Sequence, residues 1–596
     1  MGADTPRSGT DGTWRLDVIL SCVALFVLAV AQPLLDLLGR NAEFFLARSS
    51  PAIDIVLVAL LFTAVVPLLV GLIIVVVGKI HLPTGRVLHG IVLAALGGVL
   101  AVQIIKLTPL SGFSSWLEIG LAVTAGGLLA VAYHRSASLR SVGRFAAIAP
   151  LVVLALFLFV SSTSQLVFAA PAIGHPAQVE VGNPVPIVMV IFDEFPVASL
   201  MDGEGDLQED VYPGFARLAR DGTWFRNAVT VQQQTEDSLP VILSGSHPTG
   251  DKLPMAGDYP FTLFTLLSDT YDLQIREAVT DLCPEYACEN TTRPEHPAAQ
   301  RWSSLIQDLS VVAGHVFLPA DLADGLPPVD ASWSNFSGGD DGLGFDMIAR
   351  FQDLTYSADR RAPIADFLES IEPASGEPRL SFLHALVPHV PWTYLPSGQT
   401  YPSPGAAPGS KSPGWGDDVW LVDQAYQQHL LQVQYVDGVV VDLIERLEQA
   451  GLYDDSLIVI VADHGIAVRP GIYHRRVATE DTVGDVAAIP LFIKRPHQEH
   501  GDVDDYRAET IDLLPTIADV LEIDLPWATD GTSLFGDKRP ERLESRISGS
   551  DGVIVFGTDG SEARGVAARK IKHFGTDGPF GLAPPGHSDL LGRRIE

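Results

Sequence analysis

Hydrophobic and polar positions divide the chain near residue 170. Before it stand five apolar runs, at 18–38, 55–77, 87–105, 113–133 and 145–166. Crossing a hydrocarbon core about 30 Å thick takes about 20 helical residues. Each run is long enough, and five in succession predict five membrane-spanning helices. The second run carries no charge, whereas Glu118 sits near the start of the fourth. The first is too long for the apolar core of a cleaved signal peptide and lacks a small-residue cleavage pattern. Basic residues in the short loops set the expected orientation. Arg7, Arg15, Lys79, Arg86, Arg135, Arg140 and Arg144 fall on one side, and Arg40, Arg48 and Lys106 on the other. Seven against three predict a cytoplasmic N-terminus (residues 1–15), and five crossings over residues 16–169 then place the rest of the chain outside the cytoplasm.

After a linker at 170–184, which carries Pro and Gly, the periodicity changes. The Val- and Ile-rich runs at 185–192, 456–462 and 489–494 read as strands buried on both faces. Helical spacing appears at 215–221 and within 423–451, where Val433, Val436, Val440, Leu443, Ile444 and Leu447 share one face. A further helix is expected near 514–521, with Pro515 suited to its first turn. Strands alternating with helices predict an α/β domain with a largely parallel central sheet, spanning 185–535. In such sheets chemistry gathers at the carboxyl ends of the strands. Residues 296–370 have weaker periodicity and read as an insertion, and 536–596 as a C-terminal extension with one strand-like run at 553–556.

Charge sharpens the division. The 596 residues include 39 Lys and Arg against 72 Asp and Glu, a net charge of −33. Residues 1–170 carry +3 and the remainder −36. The mean hydropathy of +0.24 is therefore an average over two regions with different solvents. With 47% apolar residues the chain is not a disordered acidic polymer. Its acidic excess argues against a nucleic-acid partner. Three cysteines exclude a disulfide scaffold. Cys22 falls in a membrane run, and Cys283 and Cys288 lie close together in a loop-like stretch on the expected oxidising side, where a local disulfide is the expectation. Asn290-Thr-Thr and Asn335-Phe-Ser fit the glycosylation pattern, a weak signal.

Candidate chemistry follows the buried strands. The first ends in Asp193-Glu194 and the second in Asp463-His464-Gly465. Asp offers a hard carboxylate, His a borderline nitrogen, and Gly a tight backbone path. Asp193, Asp463 and His464 together would suit a divalent metal. Between the strands lies Gln-Gln-Gln-Thr235-Glu-Asp-Ser238-Leu-Pro240-Val-Ile-Leu-Ser244-Gly245.

This order resembles the sulfatase and alkaline phosphatase superfamily, in which an acidic ligand ends a strand, a nucleophile opens a helix some forty residues later, and a strand with Asp-His-Gly follows much later. The segments 212–227, 489–496 and 530–534 extend the resemblance over most of 185–535. A formylglycine sulfatase would carry Cys or Ser, then Pro or Ala two later, then Arg four later; this chain has Thr235, Asp237 and Leu239. Thr-x-x-Ser-Leu-Pro-x-x-x-Ser instead resembles membrane-bound phosphoethanolamine transferases, and Thr-x-Asp-Ser is similar to lipoteichoic acid synthases. Both place five transmembrane helices before an extracytoplasmic domain.

The resemblance implies a metal set of Asp193, Thr235, Asp463 and His464, with Thr235 also the nucleophile. Those transferases use Glu as the first ligand, so Glu194 is an alternative or additional ligand here. His384-Ala-Leu-Val-Pro-His389-Val-Pro resembles the family segment whose second His contacts the phosphoryl or leaving group; His384 would support its neighbour. His474 lies close to where the transferases carry another site histidine. Arg475 and Arg476 would steer an anionic phosphate or form a solvated pair. One divalent ion is implied: Zn or Mn first, with Mg and Ca admissible. The implied function is transfer of a phospholipid-derived head group, of phosphoethanolamine or phosphoglycerol type, through a phospho-threonine to an envelope glycan or lipid acceptor at the plasma membrane. The alternatives are hydrolysis of sulfate or phosphate esters, and a catalytically inactive membrane-anchored binding module.

Overall fold

The computed structural model describes residues 8–48, 50–108, 114–168, 179–249, 252–288, 297–323, 326, 359–373, 376–400, 407–411, 413–536, 539–549 and 552–576. Both glycosylation patterns, at Asn290 and Asn335, lie outside the described residues, as does most of the central part of 296–370. The chain forms two compact units.

The first unit contains five helices long and apolar enough to cross a membrane: Thr13–Arg40, Ala52–Ile80, Leu82–Lys106, Ser115–Arg135 and Ala137–Phe159. They overlap the five apolar runs, the fifth helix starting before its run and ending at Phe159. The helix Ala298–Phe317, from within the expected insertion, belongs to this unit as well. Its Leu305, Leu309 and Val312 pack into a cluster with Leu34, Phe45, Ile55 and Phe157. Polar contacts fix the same face. Arg48 pairs with Asp308 and donates to Ser304 Oγ at 2.8 Å. Asp54, itself buried, accepts from Arg301 Nε at 3.1 Å and Trp302 Nε1 at 3.2 Å. Lys106 Nζ donates to the carbonyls of His315 and Val316, capping the helix where its dipole is negative.

The second unit is the α/β domain. Its strands are β1 (Ile187–Asp193), β2 (Thr223–Phe225), β3 (Asp272–Arg276), β4 (Arg379–Pro388), β5 (Ser410–Lys411), β6 (Gly414–Trp415), β7 (Leu457–Ala462), β8 (Leu491–Lys494), β9 (Asp502–Asp504), β10 (Ser545–Gly549) and β11 (Gly552–Phe556). Seven of them form one sheet in the order β3-β4-β1-β7-β8-β2-β9. β1 runs parallel to both β4 and β7, and only β8 opposes its neighbours. The expected strands at 185–192, 456–462 and 489–494 are β1, β7 and β8, and every residue of each is buried, as uninterrupted apolar runs require. The helix Val419–Ala450 lays Val433, Val436, Val440, Leu443, Ile444 and Leu447 into the core, the face read from their spacing. Helices at Pro213–Asp221 and Leu513–Val520 also match expectation. Cys283 and Cys288 form a disulfide, and Cys22 is a buried free thiol.

Candidate metal centre and nucleophile

The central strands β4, β1 and β7 end side by side, and their carboxyl ends assemble the site. Asp193 closes β1, Asp463 follows β7, and His384 lies inside β4 opposite Ile191. Register between β1 and β4 then jumps, from Phe192–Ala385 to Asp193–Pro388. Such an irregularity re-aims side chains next to a strand end. Ligand atoms of Asp193, His384 and Asp463 lie within 4.8 Å of one another, and all three residues are buried. His384 Nε2 is 3.9 Å from Asp193 Oδ2. His464 Nε2 is 3.6 Å from Asp463 Oδ2.

Thr235 opens the helix Thr235–Ser244 and is fully buried. Its hydroxyl lies 3.5 Å from Asp193 Oδ1 and 3.3 Å from His464 Nε2. Three contacts explain this placement. Ser238, one turn along, donates to the Asp463 carbonyl at 2.7 Å and ties the helix to the end of β7. Gly245 closes the helix at φ +66°, a conformation that a side chain would strain. The Gly245 carbonyl then accepts from the amides of Asp530 and Gly531, which accounts for the late Asp-Gly-Thr segment. Gly465 serves a different purpose from a turn: a Cβ there would come within 2.0 Å of the Asp485 carbonyl oxygen.

Hydrogen bonding assigns the tautomer of His464. Its Nδ1 faces the Gly465 carbonyl at 2.9 Å, and a carbonyl can only accept. Nδ1 therefore carries the proton and the Nε2 lone pair points toward Thr235. Asp463 is similarly divided. Oδ1 accepts from the amides of Glu194 and His464, at 3.2 and 2.6 Å, while Oδ2 remains on the cluster side. Asp193 Oδ2, Asp463 Oδ2 and His384 Nε2 have no hydrogen-bond partner among the described residues. Burial pushes the Asp463 carboxyl up to about 7, and burial together with the Asp463 carboxylate raises Asp193 well above the carboxylate range. Burial, with the nearby His464, pulls His384 down to about 3, so its imidazole is neutral. Buried carboxylates that crowd one another, beside neutral imidazoles with unspent lone pairs, have the donor chemistry of a divalent-cation site. The residues present therefore fit the metal that the sequence implied.

Glu194 stands apart from this cluster. Its backbone sits at φ +54°, which costs an L-residue on the order of 1 kcal/mol. The carboxylate is engaged by Arg475 Nε at 3.1 Å and the Val390 amide at 3.4 Å. His389 Nε2 lies 3.4 Å away and Arg476 Nε 3.7 Å away. Burial opposes its charge, but Arg475, His389 and Arg476 outweigh burial and hold the carboxyl well below the usual range. His389 Nδ1 donates to the Val390 carbonyl at 2.5 Å, and burial keeps the ring neutral. His474 is on the Arg475–Arg476 loop, where its Nδ1 accepts from the Arg476 amide at 3.2 Å.

Thus Asp193, Thr235, Asp463 and His464 come together, Glu194 and His389 meet at the adjoining arginines, and His474 borders them. Sequence reading gave His384 a supporting place; the structure puts it among the candidate ligands. Two positioning residues were not read from the sequence. Arg360 donates to the carbonyls of Leu386, His389 and Val390, and Gln432 donates to the His389 carbonyl while accepting from the amides of Thr393 and Tyr394. Arg360 lies in the weakly periodic stretch, and Gln432 looks like one polar position on an amphipathic helix, so neither carried a local signal.

Residues 327–523 match the family described as Sulfatase. A lipoteichoic acid synthase from Staphylococcus saprophyticus is 26% identical over 176 residues, covering 28% of this chain and 25% of the relative. The multifunctional alkaline phosphatase superfamily protein PehA of Trinickia caryophylli is 31% identical over 102 residues, covering 17% and 19%. Among solved structures, the phosphonate monoester hydrolase SpPMH from Silicibacter pomeroyi aligns with a TM-score of 0.38 at 19% identity, over 61% of this chain and 79% of that one. The chain spans a quarter or less of the length of the curated relatives it matches. The matched region contains the Asp-His-Gly strand end, and this match together with the likeness to lipoteichoic acid synthases supports the sulfatase and alkaline phosphatase superfamily, and an enzyme, for a chain in which the α/β domain follows five apolar helices.

Proposed function

We propose that the protein transfers a phosphate-linked head group from a membrane phospholipid to an envelope glycan or lipid acceptor, with Thr235 as nucleophile. The observation that carries this reading is the Thr235 hydroxyl at the amino end of its helix, within 3.5 Å of both Asp193 and His464. Asp193, His384, Asp463 and His464 would hold one divalent cation, Zn or Mn first. When bound, that ion supplies Lewis acidity toward the nucleophile and the phosphoryl oxygens. Thr235 Oγ1 donates toward Asp193 Oδ1, which takes its proton, while the His464 Nε2 lone pair is directed to the cation site. The Thr235 oxygen attacks phosphorus, the bond to the lipid oxygen breaks, and the helix amino end favours the negative charge held there. The leaving lipid oxygen takes its proton from water; His389 Nε2, the ring nitrogen not tied to the backbone, then accepts the proton of the incoming acceptor hydroxyl as that oxygen attacks phosphorus and the bond to Thr235, whose oxygen recovers its proton from Asp193, breaks. Arg475 and Arg476 offset charge on the transferred group, and His474 borders it.

The likeness to lipoteichoic acid synthases and the five apolar helices favour a lipid donor. Arg48, Asp54 and Lys106, at the loops expected to face outward, all hold the helix Ala298–Phe317, which supports placing the chain after the fifth span on the same side as those loops. Hydrolysis, with water as the acceptor, is the second reading. It shares the first half-reaction and is favoured by the 31% identity to an alkaline phosphatase superfamily protein.

Feeding labelled phospholipid to the metal-loaded full chain in detergent, followed by mass spectrometry, tests the proposal. A mass increment on Thr235 identifies both nucleophile and transferred group. Thr235→Ala should lower product formation by roughly 10³-fold or more. Equal product from Thr235→Ala would overturn the assignment.

A further inference from the structure

The buried charge group beside the cluster has a composition that metal binding does not explain. Glu194 brings one negative charge, and Arg475 and Arg476 bring two positive ones. All three side chains are largely removed from solvent, at 0%, 6% and 15% exposure. Arg475 is committed: its Nε donates to Glu194, its amide donates to the Pro413 carbonyl, and its own carbonyl accepts from Ala467. Arg476 is less so. Its Nε stands 3.7 Å from Glu194 Oε1, without a hydrogen-bond partner among the described residues. The group adjoins the cluster directly, because the Glu194 amide donates to Asp463 Oδ1. An unpartnered guanidinium nitrogen beside a candidate metal is suited to a non-bridging phosphoryl oxygen.

We infer that Glu194 is a built-in counter-ion rather than a metal ligand: it positions Arg475 and Arg476 and tempers their hold on the anionic part of the substrate, for which Arg476 is the contact. The inference rests on the phosphoryl-transfer reading. Glu194 has a left-handed backbone, and its carboxylate meets Arg475 and Arg476. The Glu194 carboxylate occupies guanidinium faces that a phosphoryl group would otherwise take. Two bare arginines would bind phosphate tightly and release it slowly; a tethered carboxylate shares them and lets the transferred group depart.

The test uses the full chain carrying Thr235→Ala, loaded with Zn in detergent, with inorganic phosphate as the probe. Calorimetry reads phosphate affinity, and elemental analysis reads metal content. Arg476→Gln should weaken phosphate binding at least tenfold with metal unchanged, and Arg476→Lys should restore part of it. Glu194→Gln should keep its metal and bind phosphate several-fold more tightly. With Thr235 intact, Glu194→Gln should lower both KM and kcat. Loss of metal from Glu194→Gln would make Glu194 a ligand and overturn the inference. So would phosphate affinity that is unchanged or weaker in Glu194→Gln, which is what a merely structural role would give. If Glu194→Gln does not fold, Arg476→Gln decides alone: unchanged phosphate affinity overturns the inference. Inorganic phosphate binding needs neither a lipid donor nor a phospho-threonine, so it can fail or succeed independently of the proposed reaction.

Discussion

Asp463 spends one carboxylate oxygen on the amides of Glu194 and His464 and keeps the other toward the cluster. Burial pushes its carboxyl from 3.8 up to about 7. The sign of the pH effect follows from which state holds the proton. Between those two values the unfolded chain has released it and the native chain retains it. Metal-free protein therefore loses stability as pH rises through this window. A cation requires the carboxylates of both Asp463 and Asp193, so metal affinity should move the opposite way, strengthening as pH rises. Calorimetric titration across pH 5–9 (on the order of the pKa window) checks this, and Asp463→Asn should abolish both the binding and its pH dependence. The identities of Asp193, Asp463, His464 and Thr235 as candidates were legible because each stands at a strand end or helix start. His384 was less so, because a histidine within a strand does not announce which face it takes.

Strands β1, β7 and β8 were readable as elements because burial on both faces leaves an unbroken apolar run. β4 was not, although its residues are almost all buried, because His384 interrupts its run. β2 has only three residues, too few for a period to show. Within the C-terminal extension only the strand-like run at 553–556 was read, yet its helix Ser561–Phe574 buries Lys570 beneath the loop after β1. Lys570 Nζ donates to the carbonyls of Ser199 and Met201 and to Gln208 Oε1, at 2.8, 2.6 and 2.6 Å. Burial pulls its ammonium down from 10.5 to about 7. Above pH 7 the native chain has begun to release this proton while the unfolded chain holds it, so stability should rise with pH until the unfolded lysine also titrates. Lys570→Met should flatten that rise, by an amount on the order of a few kcal/mol over the window. Thermal melts of both proteins at several pH values above 7 would show it; parallel slopes would contradict the assignment.

For the whole molecule, the charge division of +3 and −36 corresponds to the helices before residue 170 and the acidic chain after it, but not to the two compact units. The helix Ala298–Phe317 crosses that division, held among the apolar helices by Arg48, Asp54 and Lys106. The expected topology makes a direct prediction. On intact cells, an impermeant thiol reagent should label Asn41→Cys and leave Ser138→Cys unlabelled; the reverse pattern would invert the orientation. Both positions are exposed, and the native cysteines are buried or disulfide-bonded. By itself the sequence determined the five apolar helices, the α/β alternation and most of the candidate residues of the cluster, because hydrophobic period and residues next to strand ends are local properties. The tertiary structure decided which side chains share the site. It brought His384 to Asp193 beside a strand register shift, brought Glu194 to the arginines, and set Arg360 and Gln432 behind His389. These outcomes depend on distances between segments far apart in the chain, which no local pattern encodes.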